Sequence, residues 1–142
     1  MSEIKVTFNR RNEPKINGKR TTPHRNGNHG RTVYICDEYV LKIDDRGYSH
    51  EDMETWKTIE KRDHKYFVPT LEQGETEDGV QWSIQPYIEL DDNITDEAQD
   101  IIARLVDKYN LFDIDYWESS NRNWAMHNGQ PIIFDYGLMS CP

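Results

Sequence analysis

An asparagine-glycine pair, Asn128-Gly129, lies between two short apolar runs near the end of the chain, at residues 124–127 and 131–134. Asn and Gly readily adopt the positive φ angles of a two-residue turn, so this pattern is a strong signal for an antiparallel hairpin. The hairpin would bring Asn123, which precedes its first strand, close to Asp135, which follows its second. The chain therefore has at least one antiparallel pair of strands with polar side chains at the open end.

Further strands are predicted where β-branched and aromatic residues cluster between turn signals. These runs are residues 33–36, 39–43, 66–71 and 80–87. The polar pair Asp37-Glu38 joins the first two runs, and a charged turn that contains Gly79 joins the last two. We therefore expect four antiparallel strands before the C-terminal hairpin.

Two helices are predicted from caps and apolar spacing. Ser49 can cap a helix that runs to about residue 61, in which Met53, Trp56 and Ile59 would form the buried face. Thr95 can cap a second helix, followed by the acidic residues that favour a helix N-terminus. The apolar stripe of this second helix comprises Ala98, Ile101, Ile102, Leu105 and Tyr109.

Composition limits the class of protein. The chain has 142 residues, which suits a single domain, and its charged fraction is 30%. No apolar stretch approaches the roughly 20 residues that span a bilayer, and the first residues lack the apolar region of a signal peptide. We therefore expect a cytoplasmic protein without a membrane segment. Cys36 and Cys141 lack a metal-binding spacing, so both are expected to be reduced thiols without a chemical role.

Charge is distributed unevenly along the chain. Residues 1–31 carry a net charge of +6, whereas the remainder carries −15. The overall charge of −9 argues against generic nucleic-acid binding, which needs a basic face. We interpret residues 1–23 as a basic, loosely ordered arm and residues 24–142 as the domain. The arm is either a solvated segment or a surface that holds phosphate or a partner, and the acidic body could also mimic nucleic acid.

The residues with the clearest chemistry lie around the C-terminal hairpin. Asp135-Tyr136-Gly137 follows the second strand, and Asn123 opens the first. Carboxylate and amide oxygens suit Mg²⁺, with nucleotide phosphates and water as further ligands. Earlier in the chain, Lys42 lies on an apolar strand after a turn that contains Gly27 and Gly30. A glycine turn brings backbone N–H groups close to an anion, and a strand lysine adds a fixed positive charge.

In this order, these features resemble the nucleotide-binding half of the protein-kinase-like superfamily, over about residues 24–138. In detail the sequence is similar to very short kinase-like proteins encoded by bacteriophages. The matching stretches are residues 30–34, 39–43, 123–124 and 132–137. The resemblance implies that Lys42 contacts the α and β phosphates of ATP, that Gly27 and Gly30 cover them, and that Asn123 and Asp135 hold Mg²⁺.

Two roles of the resembling family have several candidates. The helix acid that pairs with the strand lysine could be Glu51, Asp52 or Glu54, of which we favour Glu54. The catalytic base normally stands five residues before the metal-binding asparagine, where this chain has Glu118. An insertion could instead place Asp115 as the base, or proton abstraction has been lost.

The segment between the two lobes, Gln85-Pro86-Tyr87-Ile88, falls where the family runs a hinge along the adenine. Proline is tolerated at Pro86 because the family uses the carbonyl at that position, and Ile88 would supply the N–H donor. The same segment could simply be the end of an edge strand, where proline is common.

The predicted fold is α+β and kinase-like: an antiparallel N-lobe sheet with one helix, then a reduced C-lobe of one long helix and a β-hairpin. The predicted function is a minimal kinase-like protein that binds ATP and Mg²⁺ and phosphorylates a host factor or a small molecule. Only residues 138–142 follow the metal motif, so we expect no peptide platform and a host protein partner. The alternative is a catalytically inactive module that binds and inhibits a host protein through its acidic body or basic arm.

Overall fold

The computed structural model of the chain describes residues 4–11, 13–26, 32–111, 123–134 and 136. Within these ranges the fold is α+β, as predicted, with antiparallel sheets and two α-helices. Several residues singled out in the sequence lie outside the described residues, so their predicted roles stay predictions. They are Gly27, Gly30, Asp115, Glu118, Asp135 and Cys141.

The described part of the N-terminal segment is a three-stranded meander, not the loosely ordered arm expected from its charge. Its strands are β1 (Val6–Phe8), β2 (Pro14–Ile16) and β3 (Lys19–Arg20), paired in the order β1-β2-β3. Asn17 and Gly18, with φ angles of 52° and 81°, form the two-residue turn between β2 and β3. Ile16 is only 1% exposed and packs in one apolar cluster with Leu41 and Ile84, so the meander belongs to the folded body.

Five strands form the main antiparallel sheet, in the order β4-β5-β6-β8-β7. They are β4 (Thr22–Asn26), β5 (Thr32–Cys36), β6 (Tyr39–Asp44), β7 (Glu72–Glu75) and β8 (Gln81–Pro86). The predicted β5–β6 hairpin is confirmed, with Cys36 opposite Tyr39 and Asp37 at a φ of 52° in the turn. The boundary drawn between residues 23 and 24 falls inside β4, so arm and sheet are continuous.

The strand predicted at residues 66–71 is wrong. Residues Lys61–Tyr66 form a 3₁₀ helix, which closes with a hydrogen bond from Phe67 N to His64 O, and the strand begins only at Glu72. Between them the chain is extended and links two sheets. Val68 N donates to Ile133 O at 2.9 Å, whereas Leu71 N donates to Ile84 O at 2.8 Å. The β-forming residues thus bridge two sheets and extend neither.

Helix α1 (Tyr48–Thr58) differs from its prediction at the N-terminus and on its buried face. The helix is capped not by Ser49 but by Asp44 at the end of β6, whose Oδ2 accepts a 2.8 Å hydrogen bond from Ser49 N. Gly47, at the N-cap, turns the chain with a φ of 93°. The buried residues within α1 are polar, namely Ser49, Asp52 and Thr55. The predicted apolar face is confirmed in part: Trp56 and Ile59, which directly follows the helix, pack in the apolar cluster around Phe67.

Helix α2 (Asp96–Tyr109) and the C-terminal hairpin agree with the sequence. Thr95 Oγ1 accepts a 3.1 Å hydrogen bond from Ala98 N, as predicted for a capping threonine. The hairpin strands are β9 (Trp124–His127) and β10 (Gln130–Ile133), joined by Asn128 and Gly129 with φ angles of 50° and 78°. A second apolar cluster lies between these elements and the 3₁₀ helix, and it includes Phe67, Ile102, Leu105, Trp124, Met126 and Ile133.

Within the described ranges, neither helix has the length and apolar character needed to cross a bilayer.

A cluster of ionic contacts ties the 3₁₀ helix to the end of α2. Asp63, 3% exposed, accepts hydrogen bonds from Lys108 Nζ at 2.8 Å and from the Tyr109 hydroxyl at 2.6 Å. Burial alone would raise the pKa of Asp63, but the bonds from Lys108 and Tyr109 outweigh it and hold that pKa below its usual value. Lys108 also contacts Glu60.

We predict that Asp63→Asn lowers the free energy of unfolding at pH 7 by about 2 kcal/mol, the scale of hydrogen bonds to a charged group. The folded pKa lies below the unfolded one, so this stabilisation is present above about pH 4 and is lost as pH falls through the folded pKa. Denaturant unfolding from pH 7 to pH 2 should therefore show the two proteins converging in acid. Glu77→Gln, at an exposed turn position, is the control. A difference in the free energy of unfolding between the two proteins that stays constant from pH 7 to pH 2 would contradict the assigned role of the Asp63 carboxylate.

Candidate functional site

Lys42 lies in the centre of the main sheet, on β6 between β5 and β8. Its neighbours along the strand alternate between the two faces of the sheet, so Leu41 points into the apolar cluster on one side and Lys42 points to the other. Lys42 is only 5% exposed. The lysine is thus held inside the molecule and does not lie on the surface.

The ammonium group of Lys42 reaches the C-terminal hairpin. Lys42 Nζ donates a 2.8 Å hydrogen bond to the carbonyl oxygen of Phe134, across 92 residues of sequence. Phe134 immediately precedes Asp135. A lysine from the main sheet therefore meets the backbone next to the predicted metal-binding carboxylate.

Asn123 meets the same residue from the other strand of the hairpin. Its carbonyl oxygen accepts a 3.1 Å hydrogen bond from Phe134 N, while its side chain is largely buried. Asn123 has a φ of 60°, a left-handed conformation that asparagine tolerates better than most residues. The peptide groups of Phe134 thus connect Lys42 to Asn123. Both of these predicted site residues make a hydrogen bond to Phe134.

Glu54, the favoured partner for Lys42, does not face it. The Glu54 side chain is 66% exposed, and its carboxylate lies 3.9 Å from Lys57 on the same helix. The carboxylate of α1 that points into the protein is Asp52, one of the alternatives left open by the sequence. The choice of Glu54 is therefore corrected in favour of Asp52 as the buried acid of this helix.

Asp52 is held by the strand next to Lys42. Ser83 on β8 is directly opposite Lys42 in the sheet, and its hydroxyl donates a 2.6 Å hydrogen bond to Asp52 Oδ2. Both Asp52 and Ser83 are 0% exposed. Ser83 was not identified from the sequence, because a lone serine in a strand is not by itself a signal. Its alignment with Lys42 became visible only from the strand register.

The segment predicted as a hinge, residues 85–88, overlaps the end of β8. Pro86 is the last residue of β8 and pairs with Tyr39, and Tyr87 N donates to Glu38 O at 2.6 Å. Ile88 follows, and within the described ranges its backbone N–H has no hydrogen-bond partner. This leaves the predicted donor at Ile88 available to a ligand.

Two other features of the described residues are separate from this site. A pocket of about 320 Å³ lies beside β3, β4 and β5, and neither Lys42 nor Asn123 lines it. Cys36 borders this pocket, and burial raises the pKa of its thiol, so the group stays protonated at neutral pH. In the part of the chain that the structure describes, no group of three or more His, Cys, Asp or Glu side chains is placed to hold a metal ion.

We predict that Asp52→Ala lowers the free energy of unfolding by about 1 to 3 kcal/mol, because the buried Ser83 hydroxyl loses its acceptor. Glu54→Ala is the matched control on the same helix, and its exposed carboxylate should contribute less than about 0.5 kcal/mol. Urea denaturation of both variants at pH 7 measures the difference. Equal effects of the two substitutions would mean that the buried hydrogen bond between Ser83 and Asp52 does not stabilise the protein more than an exposed carboxylate does.

Comparison with known proteins does not assign this chain to a family. No protein-family model matches it, and no curated protein matches it. The candidate site therefore stands on its geometry and on the motif resemblance seen in the sequence.

Proposed function

We propose that this chain is a minimal kinase-like protein that binds ATP with Mg²⁺ between its main sheet and its C-terminal hairpin. The main support for the proposal is the hydrogen bond from the buried Lys42 ammonium group to the carbonyl oxygen of Phe134. Phe134 is the residue before Asp135 in the sequence. A strand lysine whose ammonium group reaches the backbone of the hairpin is suitably placed to contact the phosphate chain of a nucleotide bound there. Phosphoryl transfer depends mainly on positioning and on charges of this kind.

The residues on each side of this contact fit a nucleotide. The positive charge of Lys42 suits the α and β phosphates. The carboxamide of Asn123 and the carboxylate of Asp135 are the oxygen ligands that Mg²⁺ prefers. The free N–H of Ile88 is a donor for the adenine ring at the start of the linker. Together these groups would hold the base, the phosphates and the metal ion of one ATP molecule.

The acceptor in this proposal is a host factor or a small molecule. The catalytic base is Asp115 or Glu118, or transfer proceeds without one, since a loose transition state relies on alignment more than on proton abstraction. The charge of Mg²⁺ would stabilise the transferring phosphoryl group. Asp52 contributes by supporting the strand pair that carries Lys42, through its bond to Ser83.

We predict that saturating ATP with Mg²⁺ stabilises the protein, by about 2.7 kcal/mol at 100 times the dissociation constant. Lys42→Met should abolish most of this stabilisation, because methionine keeps an unbranched apolar side chain of similar size but lacks the charge. Asp135→Asn should weaken the Mg²⁺-dependent part. Thermal unfolding with and without nucleotide measures both effects, and Lys57→Met, at an exposed lysine, is the control. ATP binding that is absent from the unsubstituted protein, or unchanged by both substitutions, would overturn the proposal.

A second candidate function, a module that binds a partner protein, is favoured by the charge on the N-terminal meander. Lys15 and Arg20 are directly opposite each other on β2 and β3, and both are exposed. Like charges in such positions repel each other. Within the described ranges, five exposed cations of this segment have no acidic partner, namely Lys5, Arg10, Arg11, Lys15 and Arg20. Such a surface fits an acidic patch on another protein.

This second function predicts binding that depends on charge and not on nucleotide. Replacing Lys15 and Arg20 together by Glu should abolish association with polyglutamate, used as an acidic probe, whereas Lys42→Met should leave it unchanged. Association should also weaken as salt rises, because exposed charges are screened. Titration of the labelled probe at two salt concentrations measures this. Equal binding by the charge-reversed variant would exclude the meander as the contact surface.

A further inference from the structure

A pocket of about 320 Å³ lies at the junction where the meander passes into the main sheet. Only Thr21 separates β3, the last strand of the meander, from β4, an edge strand of the main sheet. Residues from both strands, from β5 and from the turn after β5 line the pocket, namely Arg20, Thr22, Pro23, Ile35, Cys36 and Asp37. Ligand pockets typically measure about 300–1,000 Å³, so this one is large enough to receive a side chain of another molecule.

One wall of the pocket is apolar and incompletely covered. Ile35 is half-buried and Pro23 is exposed, so both keep apolar surface in contact with water. A bulky apolar side chain that entered the pocket would remove this surface from water. Pockets of this kind hold the aromatic and aliphatic anchors of protein interfaces. The wall therefore favours an apolar anchor as the occupant.

The rim of the pocket is positively charged. Arg20 is exposed and, within the described ranges, has no acidic partner. Asp37 also lines the pocket, but its carboxylate accepts a 2.8 Å hydrogen bond from Lys19 Nζ, which compensates its charge. An acidic partner is therefore attracted by Arg20 and is not repelled by Asp37.

Arg20 also belongs to the cationic surface of the meander. It lies directly opposite Lys15 on β2, and Lys15 lies opposite Thr7 on β1. Residues that are opposite each other in a sheet project from the same face. An acidic segment that follows this row of residues across the meander would therefore reach the pocket at Arg20.

The edge of the main sheet beside the pocket is unsuited to the addition of a partner strand. Pro23, on the edge strand β4, has no backbone N–H to donate. The register between β4 and β5 also shifts by one residue between Pro23 and Arg25. Prolines and bulges are features that keep edge strands from pairing with other chains. We therefore expect a partner to bind here through its side chains.

We propose that this pocket is the anchor site of the cationic surface on the meander, and that it receives a bulky apolar side chain from an acidic segment of a partner protein. The inference rests on the second candidate function and names the kind of partner that fits it. Lys15 and Arg20 attract the acidic residues of the segment, whereas the apolar side chain in the pocket fixes its position. Charge alone would attract many acidic proteins, so the pocket supplies the specificity.

The test compares two short glutamate peptides that differ only at one central position, which is tyrosine in one and alanine in the other. The tyrosine peptide should bind about tenfold more tightly, equivalent to about 1.4 kcal/mol, because its ring is buried in the pocket. Fluorescence polarisation of the labelled peptides measures both affinities. Equal affinities would overturn the anchor and leave the second candidate function standing, whereas no binding of either peptide would overturn both.

A matched pair of substitutions locates the tyrosine ring. Thr22→Trp places a large side chain in the pocket from an exposed position and should remove the tenfold difference. The alanine peptide, which is held by charge, should bind this variant as before, and that result also shows that the variant is folded. Thr7→Trp makes the same replacement opposite Lys15, outside the pocket, and should keep the difference. A difference that persists in Thr22→Trp would overturn the proposal.

A second copy of this chain is the competing occupant of the pocket. Tyr87 and Leu90, which are 46% and 42% exposed, lie beside the acidic residues Glu89 and Asp91 and offer the same chemistry. Sedimentation of the unsubstituted protein should show a monomer. Dimer formation that Thr22→Trp abolishes would assign the pocket to a second copy and overturn the role of a separate partner.

Discussion

The hydrogen bond between Lys42 Nζ and Phe134 O joins the main sheet to the C-terminal hairpin, next to the residues proposed to bind nucleotide and metal. It requires that β6 be central in the sheet, so that the lysine is enclosed on both sides. It also requires that the C-terminal hairpin end beside the sheet, which the bond between Val68 N and Ile133 O secures. A buried ammonium group is costly without polar partners, and this contact supplies one of them.

The two faces of the main sheet differ in polarity and in the elements that cover them. One face carries Leu41 and Ile84 and is covered by Ile16 of the meander, so it is stabilised by apolar burial. The other face carries Lys42 and Ser83 and is covered by the polar side of α1, where Asp52 accepts from Ser83. The N-terminal segment therefore supports the sheet that places the lysine, although its outer face is basic and exposed.

The elements that sequence reasoning predicted are those whose signal is local. The cap at Thr95 and the Asn128-Gly129 turn each depend on a few adjacent residues, and both are confirmed. The same Asn-Gly signal at residues 17 and 18 also forms a hairpin turn, although it lies in the basic segment predicted to be a loosely ordered arm. Apolar spacing predicted the core contacts of Trp56 and Ile59, but it could not identify Ser49, Asp52 and Thr55, because these buried residues of α1 are polar. Likewise, no local sequence signal shows that residues 67–71 link two sheets.

For the candidate site, the sequence identified Lys42 and Asn123 but not the partners that position them. Ser83 and Phe134 act through a strand register and a backbone carbonyl, and neither property is encoded in a motif. Glu54 was favoured over Asp52, and a difference of two positions on a helix turns a side chain from the core to solvent. The sequence therefore predicts the residues that could bind ligand, whereas the tertiary contacts that position them are found only in the structure.

The central claim is that Lys42, Phe134 and Asn123 border a site for a metal-bound nucleotide. Paramagnetic broadening of amide NMR signals by Mn²⁺, used in place of Mg²⁺, tests this most directly. Mn²⁺ together with ATP should broaden the signals of Asn123 and Phe134 selectively, and neither Mn²⁺ alone nor the Asp135→Asn variant should show this pattern. Broadening of the signals of other acidic residues but not of Asn123 and Phe134, or broadening that is equal with and without ATP, would contradict the account.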